Sequence, residues 1–512
     1  MGRSLVIGLD GCSWNVLEPL LETGELPNLA RLRAEGASSV LESTIPFQPG
    51  PAWASYATGC SPAAHGVYDV MILREDDTLT VASGDDLRRT TYYEHLGAEG
   101  KRSVLINLPL DQDGCENTVI VNSWLTDDGA RRILPIGRQA RYERLLDAYR
   151  TFPEPAGGIE DLCELEQARF DLARELFLAE DWDHFFVLFS STNWAGHNLT
   201  GRFLQGDEDA AAALIQLYRQ LDRHVGWLVD HANGATVVVM SGHGQCEETA
   251  VLRINSLLLE LGLLTLQDRD SHAASRSAGE QGWQRRLRLP VAVSRHRANR
   301  FLRPPGLVAK RLVARGLGIQ VVASVPRIDR TRSTAFMPTD AFFAVYLRSD
   351  DGHMQQVRRA LAELTLPDGR PALDGVWTVE ELYDRAPGPD DPDLVFAPAA
   401  GVRPSAAVKE PVVDAWAIAG RGCHQRDGIA IFAGDGARTG ELGRLSICDI
   451  APTLLWSMGA RAPRRLDGRA VLEAFDPAFV AEQPEEALLA DEPDDSFDSG
   501  YDGVAKKLEG AL

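Results

Sequence analysis

The sequence predicts an α/β fold: a mostly parallel sheet with helices on both faces and an inserted α+β cap. Three observations predict it. Short runs that are almost wholly apolar recur at SLVIGLD (4–10), RSVLINL (102–108), HFFVLFSS (184–191) and ATVVVMSG (235–242). Such runs fit strands buried on both faces, not strands with one wet face. Amphipathic stretches, among them QARFDLARELFLAE and AAAALIQLYRQLDRHVGWLVDHA, separate them. Alternation of these two patterns marks parallel βαβ units. From about Arg253 the alternation gives way to a different order. LRINSLLLELGLL reads as a helix and a break, and RSTAFMPTDAFFAVYLR, HMQQVRRALAEL and WTVEELYD follow a long basic stretch.

Taken in order, the first strand runs into LDGCSWN. Residues 43–66, STIPFQPGPAWASYATGCSPAAHG, end a β-branched run at Pro46, turn at Pro49, Gly50 and Pro51, and start a helix over Ala52 to Thr58. Strand, turn and helix meet there, and backbone N–H groups and the helix dipole converge at such a junction. The core is expected to occupy 1–252 and 413–475, with the cap inserted at 253–412. KEPVVDAWAI returns the chain to the core. Residues 476–512 read as an acidic, partly disordered tail with a short terminal helix, VAKKLEGAL. No internal repeat is visible.

Composition narrows the function. A formal net charge of −22 argues against generic nucleic-acid binding, which draws its affinity from Lys and Arg on phosphates. The charge is uneven: Arg269 to Arg332 is basic, and the tail is acidic. Most of these charges fit solvated surfaces, although the basic stretch could receive an anion. No apolar run reaches membrane-spanning length, so no membrane partner is expected. Seven cysteines in no framework spacing suggest reduced thiols and a cytoplasmic protein, and the chain enters a strand without a signal peptide. Arginine exceeds lysine, as in GC-rich bacterial genomes.

In parallel sheets ligands gather at the carboxyl ends of the strands. Asp10, Asn193 with His197, and His243 follow three of the strands, and His424 precedes another, IAIF. A lone Asp or His in a loop is usually structural. The shared position of these residues raises the metal-ligand reading above that.

The ordered motifs LVIGLDGCSWNVLEPLLETGELPNLARLRAEGASSVLESTIP, PAWASYATGCSPAAHGVYD, WDHFFVLFSSTNWAGH, RIDRTRSTAF and GCHQRDGIAIFAG resemble the type I phosphodiesterase/nucleotide pyrophosphatase family of the alkaline phosphatase superfamily. The resemblance implies an alkaline phosphatase-like core. It also implies a two-metal site with a Thr or Ser hydroxyl that attacks phosphorus. Carried over by position, Asp10 matches the first metal carboxylate, and His197, His243 and His424 match the family histidines. The nucleophile's place, two residues before PAW, holds Pro49. The aspartate four residues before the first histidine is Asn193, and the one before the second histidine is Gly242. One family centre would then keep Asn193, His197 and His424, and the other only Asp10 and His243.

Two lost carboxylates leave too little charge for a pair of dications, so a single Zn, Mn or Fe ion is the expected cofactor. Ser43, Thr44, Ser55 and Thr58 are the nearest hydroxyls. Ser55 and Thr58 fit packing or capping better than attack. His65 reads as structural, Trp53 and Trp194 as walls of the site, and Cys12, Cys246 and Cys423 as small buried fillers close to ligand positions. Arg330 and Arg332 are candidates for anion recognition in the cap. Three functions follow: a metal-dependent hydrolase or transferase of phosphoryl-type esters acting on an anionic small molecule, a repurposed mononuclear enzyme of a biosynthetic pathway, or a non-catalytic ligand-binding relative.

Overall fold

The computed structural model describes residues 2–74, 76–110, 115–125, 131–154, 157–267, 328–348, 352–415 and 420–483. Most of the basic stretch and the VAKKLEGAL segment lie outside the described residues. One large sheet carries the molecule. Its ten strands are β1 (Arg3–Leu9), β2 (Ala37–Glu42), β3 (Ser103–Ile106), β4 (Thr118–Val121), β5 (Ile133–Leu134), β6 (His184–Phe189), β7 (Ala235–Met240), β8 (Asp427–Gly434), β9 (Gly440–Glu441) and β10 (Leu445–Ser446). They lie in the order β9-β2-β8-β7-β1-β6-β3-β4-β5, and β10 also pairs with β2. The run β7-β1-β6-β3-β4 is parallel throughout. Only β8 and β5 run against their neighbours.

The apolar runs become strands because both of their faces are covered. Successive side chains of a strand point to opposite sides. Leu5, Ile7 and Leu9 of β1 accordingly join one core, with α1 (Trp14–Glu22), α3 (Ile159–Ala179), α4 (Ser191–Leu204) and α5 (Glu208–His231). Val6, with Phe186, Leu188, Val238 and Met240, faces the other core. There α2 (Pro49–Thr58) and α6 (Ile450–Ser457) contribute Trp53, Tyr56, Leu454 and Trp456. Each fully buried Leu or Phe of this kind contributes about 1.5–3 kcal/mol. α2 begins three residues before the Ala52 start that the sequence suggested, because prolines in the first turn have a fixed φ suited to it and need no N–H partner there.

A third apolar core joins residues Ile45 to Ala82 to the segments 250–264 and 328–406, so the turn after β2 is shared between sheet and cap. The cap carries a four-stranded sheet of Ala335–Phe336, Ala344–Leu347, Leu373–Trp377 and Leu394–Pro398. A separate two-stranded antiparallel ribbon, Gly244–Glu247 with Gly422–Gln425, stands at the carboxyl end of β7 and leads into β8. At the start of the tail, Pro477–Glu482 is a docked helical turn whose Phe479 stacks on Phe475 with ring centroids 5.4 Å apart. No helix among the described residues is long and apolar enough to cross a membrane.

Candidate metal centre

The sheet delivers its polar groups to one edge. β1, β6 and β7 end there, and β8 begins there because it runs the other way. Asp10 leaves β1 and is 1 % exposed. Asn193 and His197 sit one turn apart on α4, which starts right after β6. His243 leaves β7, and His424 lies in the ribbon before β8. At Gly11 φ is +69°, and a Cβ there would stand 3.0 Å from Asn193 Oδ1. Glycine therefore lets the chain leaving β1 pass directly against Asn193.

Five residues come together in two groups. In the first, His424 Nε2 lies 3.0 Å from His197 Nε2 and 3.1 Å from Asn193 Oδ1. In the second, His243 Nε2 lies 3.8 Å from Asp10 Oδ1. The His243 and His424 rings are 4.0 Å apart at their centroids, which joins the groups. Among the described residues no three His, Cys, Asp or Glu side chains close on one point by themselves. The tight set is two imidazoles and an amide oxygen.

The surroundings fix which atoms face inward. His424 Nδ1 donates to Gln48 Oε1 at 2.8 Å, His197 Nδ1 to the Gly422 carbonyl at 3.4 Å, and His243 Nδ1 to the Gly244 carbonyl at 3.0 Å. A neutral imidazole has one N–H, so each Nε2 is left with a lone pair. Gln245 Nε2 donates to the Asn193 carbonyl at 2.9 Å and to its Oδ1 at 2.7 Å, so that amide also turns its oxygen inward. His243 Nε2 is buried with no hydrogen-bond partner. Burial pushes His197 down to about 3 and His243 down to about 4, and holds His424 well below the usual histidine range, so all three are neutral at pH 7. Burial likewise pushes Asp10 up to about 7, against hydrogen bonds from Trp53 and Asn193. His197 and His424 keep an edge open to solvent, while Asp10 and His243 are closed off.

This donor set fits a cation. Acceptors turned towards one another without a shared proton repel, and a divalent ion with N and O ligands near 2.1 Å removes that repulsion. Tetrahedral geometry at that radius places neighbouring ligands about 3.4 Å apart, a few tenths of an ångström wider than the spacing seen here. The carbonyl and amide partners behind the histidines are the outer contacts that orient metal-binding imidazoles.

The nucleophile's place offers little. Pro49 is the first residue of α2, and Pro51 also lacks an N–H, while the Ala52 N–H is taken by the Gln48 carbonyl. Of the nearby hydroxyls, Thr58 bonds to the Ala54 carbonyl, and Ser55 lies 3.0 Å from His65 Nε2. His65 Nδ1 accepts the Val67 N–H, so its Nε2–H donates to Ser55, and the pair is structural. Ser43 Oγ is buried without a partner among the described residues. Trp53 Nε1 donates to Asp10 Oδ1 at 3.1 Å, and Trp194 stacks on Phe152. Arg330 donates to the Asp77 carbonyl and lies against Phe336, and Arg332 is exposed. No described contact joins either arginine to the five residues above.

Gln48, Gln245 and Glu166 were not read as site residues from the sequence. Glu166 Oε1 accepts the Ser191 N–H at 2.7 Å at the start of α4, and Arg169 pairs with its other oxygen, both side chains being fully buried. Gln245 had one visible signal: it lies two residues after His243 and so shares a face in an extended segment.

The α/β sheet, with its polar groups at the carboxyl ends of its strands, has an alkaline phosphatase-like fold. A model of the type I phosphodiesterase / nucleotide pyrophosphatase family matches residues 4–313, and the chain belongs to that family. Solved structures of the same fold include phosphonoacetate hydrolase from Sinorhizobium meliloti 1021 in complex with phosphonoformate. It is 17% identical, with a TM-score of 0.57 over 88% of this chain and 94% of that one. Murine ectonucleotide pyrophosphatase / phosphodiesterase 5, an inactive form in complex with AMP, is 13% identical, with a TM-score of 0.54 over 93% of this chain and 100% of that one. At these identities the likeness is one of fold. No curated protein matches the chain.

Proposed function

We propose that the protein is a hydrolase or transferase of phosphoryl-type esters that works with one divalent ion, Zn, Mn or Fe, on an anionic small molecule in the cytoplasm. Asn193 Oδ1, His197 Nε2 and His424 Nε2 would hold the ion, with Asp10 and His243 beside it. The observation that carries this reading is the inward convergence of acceptor atoms whose N–H groups are all committed outward. When bound, the ion supplies a Lewis acid for a phosphoryl oxygen and positive charge that acidifies an adjacent water.

The chain's own residues do the rest. Gln48 and the Gly422 carbonyl keep His424 and His197 in the ligating tautomer, and Gln245 keeps Asn193 turned. The solvent-open edges of His197 and His424 give the substrate its approach. With Pro49 in the nucleophile's place, the attacking oxygen comes from water or an acceptor substrate, and no phospho-enzyme accumulates.

Trp53 favours one ion over two. Its indole N–H already satisfies Asp10, and its ring crowds Gly242, where the family has a second aspartate. The same loss favours a second reading, a relative that binds an anionic ligand without turning it over.

Protein purified from zinc- or manganese-supplemented medium is expected to carry about one equivalent of metal, read by inductively coupled plasma analysis. His197→Ala and His424→Ala should lose it, and Asn193→Asp should bind it roughly tenfold more tightly because an anionic oxygen replaces a neutral one. Wild-type protein with no bound metal would overturn the proposal. Ion-dependent hydrolysis of bis-p-nitrophenyl phosphate separates catalysis from binding alone.

A further inference from the structure

The ribbon that carries His424 also holds two cysteines, and nothing in the proposed reaction uses them. Cys246 and Cys423 are direct partners in its register, one step along from the Gln245 and His424 pair. Their Sγ atoms are 3.7 Å apart. Neighbouring residues of a strand face opposite ways, so Gln245 and His424 point to the candidate metal centre while the two thiols share the back of the ribbon. Directly opposed residues of an antiparallel pair have Cα atoms about 4.5–5.5 Å apart, inside the range a disulfide spans. Bridging needs only that the two sulfur atoms close on one another. Cys423 is buried and Cys246 half-buried, so the approach from solvent is to Cys246.

We propose that Cys246 and Cys423 form a reversible disulfide across the back of the ribbon, made and broken by exchange with a small disulfide such as oxidised glutathione. Cys246, as the thiolate, attacks one sulfur of the oxidant, releases one glutathione thiol and carries a mixed disulfide. Cys423 then attacks Cys246 Sγ and releases the second glutathione. One S–S bond of the oxidant is cleaved and one forms in the protein, and the two protons of the cysteine thiols end on the two glutathiones. The bridge ties the strand after His243 to the strand of His424 without consuming a side chain of the metal centre.

The test uses the full-length folded protein in glutathione buffers of graded oxidation, quenched by alkylation. Trypsin leaves each cysteine in a separate piece, His224–Arg253 and Gly422–Arg426. The expected result is a non-reduced cross-linked pair of these two pieces, the loss of two of the seven thiols, and full recovery with dithiothreitol. In Cys423→Ser, a stable glutathione adduct should accumulate on Cys246, because the resolving thiol is gone. Alkylation of both cysteines after oxidising treatment, or a cross-link that forms only once the protein is unfolded, overturns the proposal. The effect on the metal centre rests on the single-ion reading and is measured separately, as a slower loss of metal to chelator from the bridged form. A cross-link with no metal in either redox state would reject the ion and leave the disulfide standing.

Discussion

At the scale of a single residue, Gly242 decides how readily a further carboxylate can be placed beside Asp10 and His243. A Cβ at that position would lie 3.1 Å from Trp53 Cε2, 3.3 Å from Trp53 Nε1 and 3.4 Å from the Ala52 side chain. An aspartate would have to push aside the indole that bonds Asp10. Gly242→Asp is therefore expected to destabilise the protein by about 1–3 kcal/mol, as overpacking of a filled core does, and to leave the metal count unchanged. Urea unfolding and metal analysis of the same sample check both parts. A gain of a second equivalent would show that Trp53 moves freely. Asn193 is the contrast: it already lies beside two imidazoles, and changing its amide to a carboxylate adds charge without adding volume.

At the scale of an element, the start of α4 is what holds Asn193 and His197 in place. Its first N–H groups need acceptors, and Glu166 from α3 supplies one to Ser191 while Arg169 neutralises it in a site without water access. Arg169→Met would leave Glu166 buried and unpaired. The expected cost is about 3–5 kcal/mol, together with weaker metal binding, whereas the double change Arg169→Met with Glu166→Gln, which removes both charges and keeps an acceptor for Ser191, should cost less. Chemical unfolding of the two variants side by side distinguishes them. The elements themselves were legible because the strands are apolar on both faces and the helices are amphipathic, and so were the strand-end positions of Asp10, His243 and His424. Gln48, Gln245 and Glu166 were not legible, because a glutamine or glutamate announces no partner until the fold supplies one. Gln245 meets His424 only through a ribbon whose strands are far apart in sequence.

For the whole molecule, the buried histidines set the response to acid. His65, His184 and His224 are pushed down to about 3 and His243 to about 4, all by burial. Below about pH 6.5 the unfolded chain takes up protons that the folded chain refuses, so these groups stabilise fully above that pH and progressively less down to their folded values. Asp10 and Asp69, pushed up to about 7 by burial, act in the opposite sense, favouring the folded state at low pH and losing that contribution as pH rises from about 3.8 to 7. With His197 and His424, which burial depresses in the same way, six histidines outweigh the two carboxyls. The unfolding free energy of metal-free protein should fall steadily from pH 6.5 to 4.5, at about 1.4 kcal/mol per pH unit for each net proton, and its melting temperature should fall with it. Scanning calorimetry across that interval measures it, and a flat profile would mean that these histidines are protonated in the folded protein. One consequence of the reversed strand β8 concerns chronology. Because β8 leaves the ribosome after the other long strands of the sheet and yet inserts between β2 and β7, most of the chain exists before His424 can reach its partners. A nascent polypeptide cut short between β7 and Gly422 can assemble β1, β6 and β7 but lacks a ligand, so metal capture would coincide with completion of the sheet's interior.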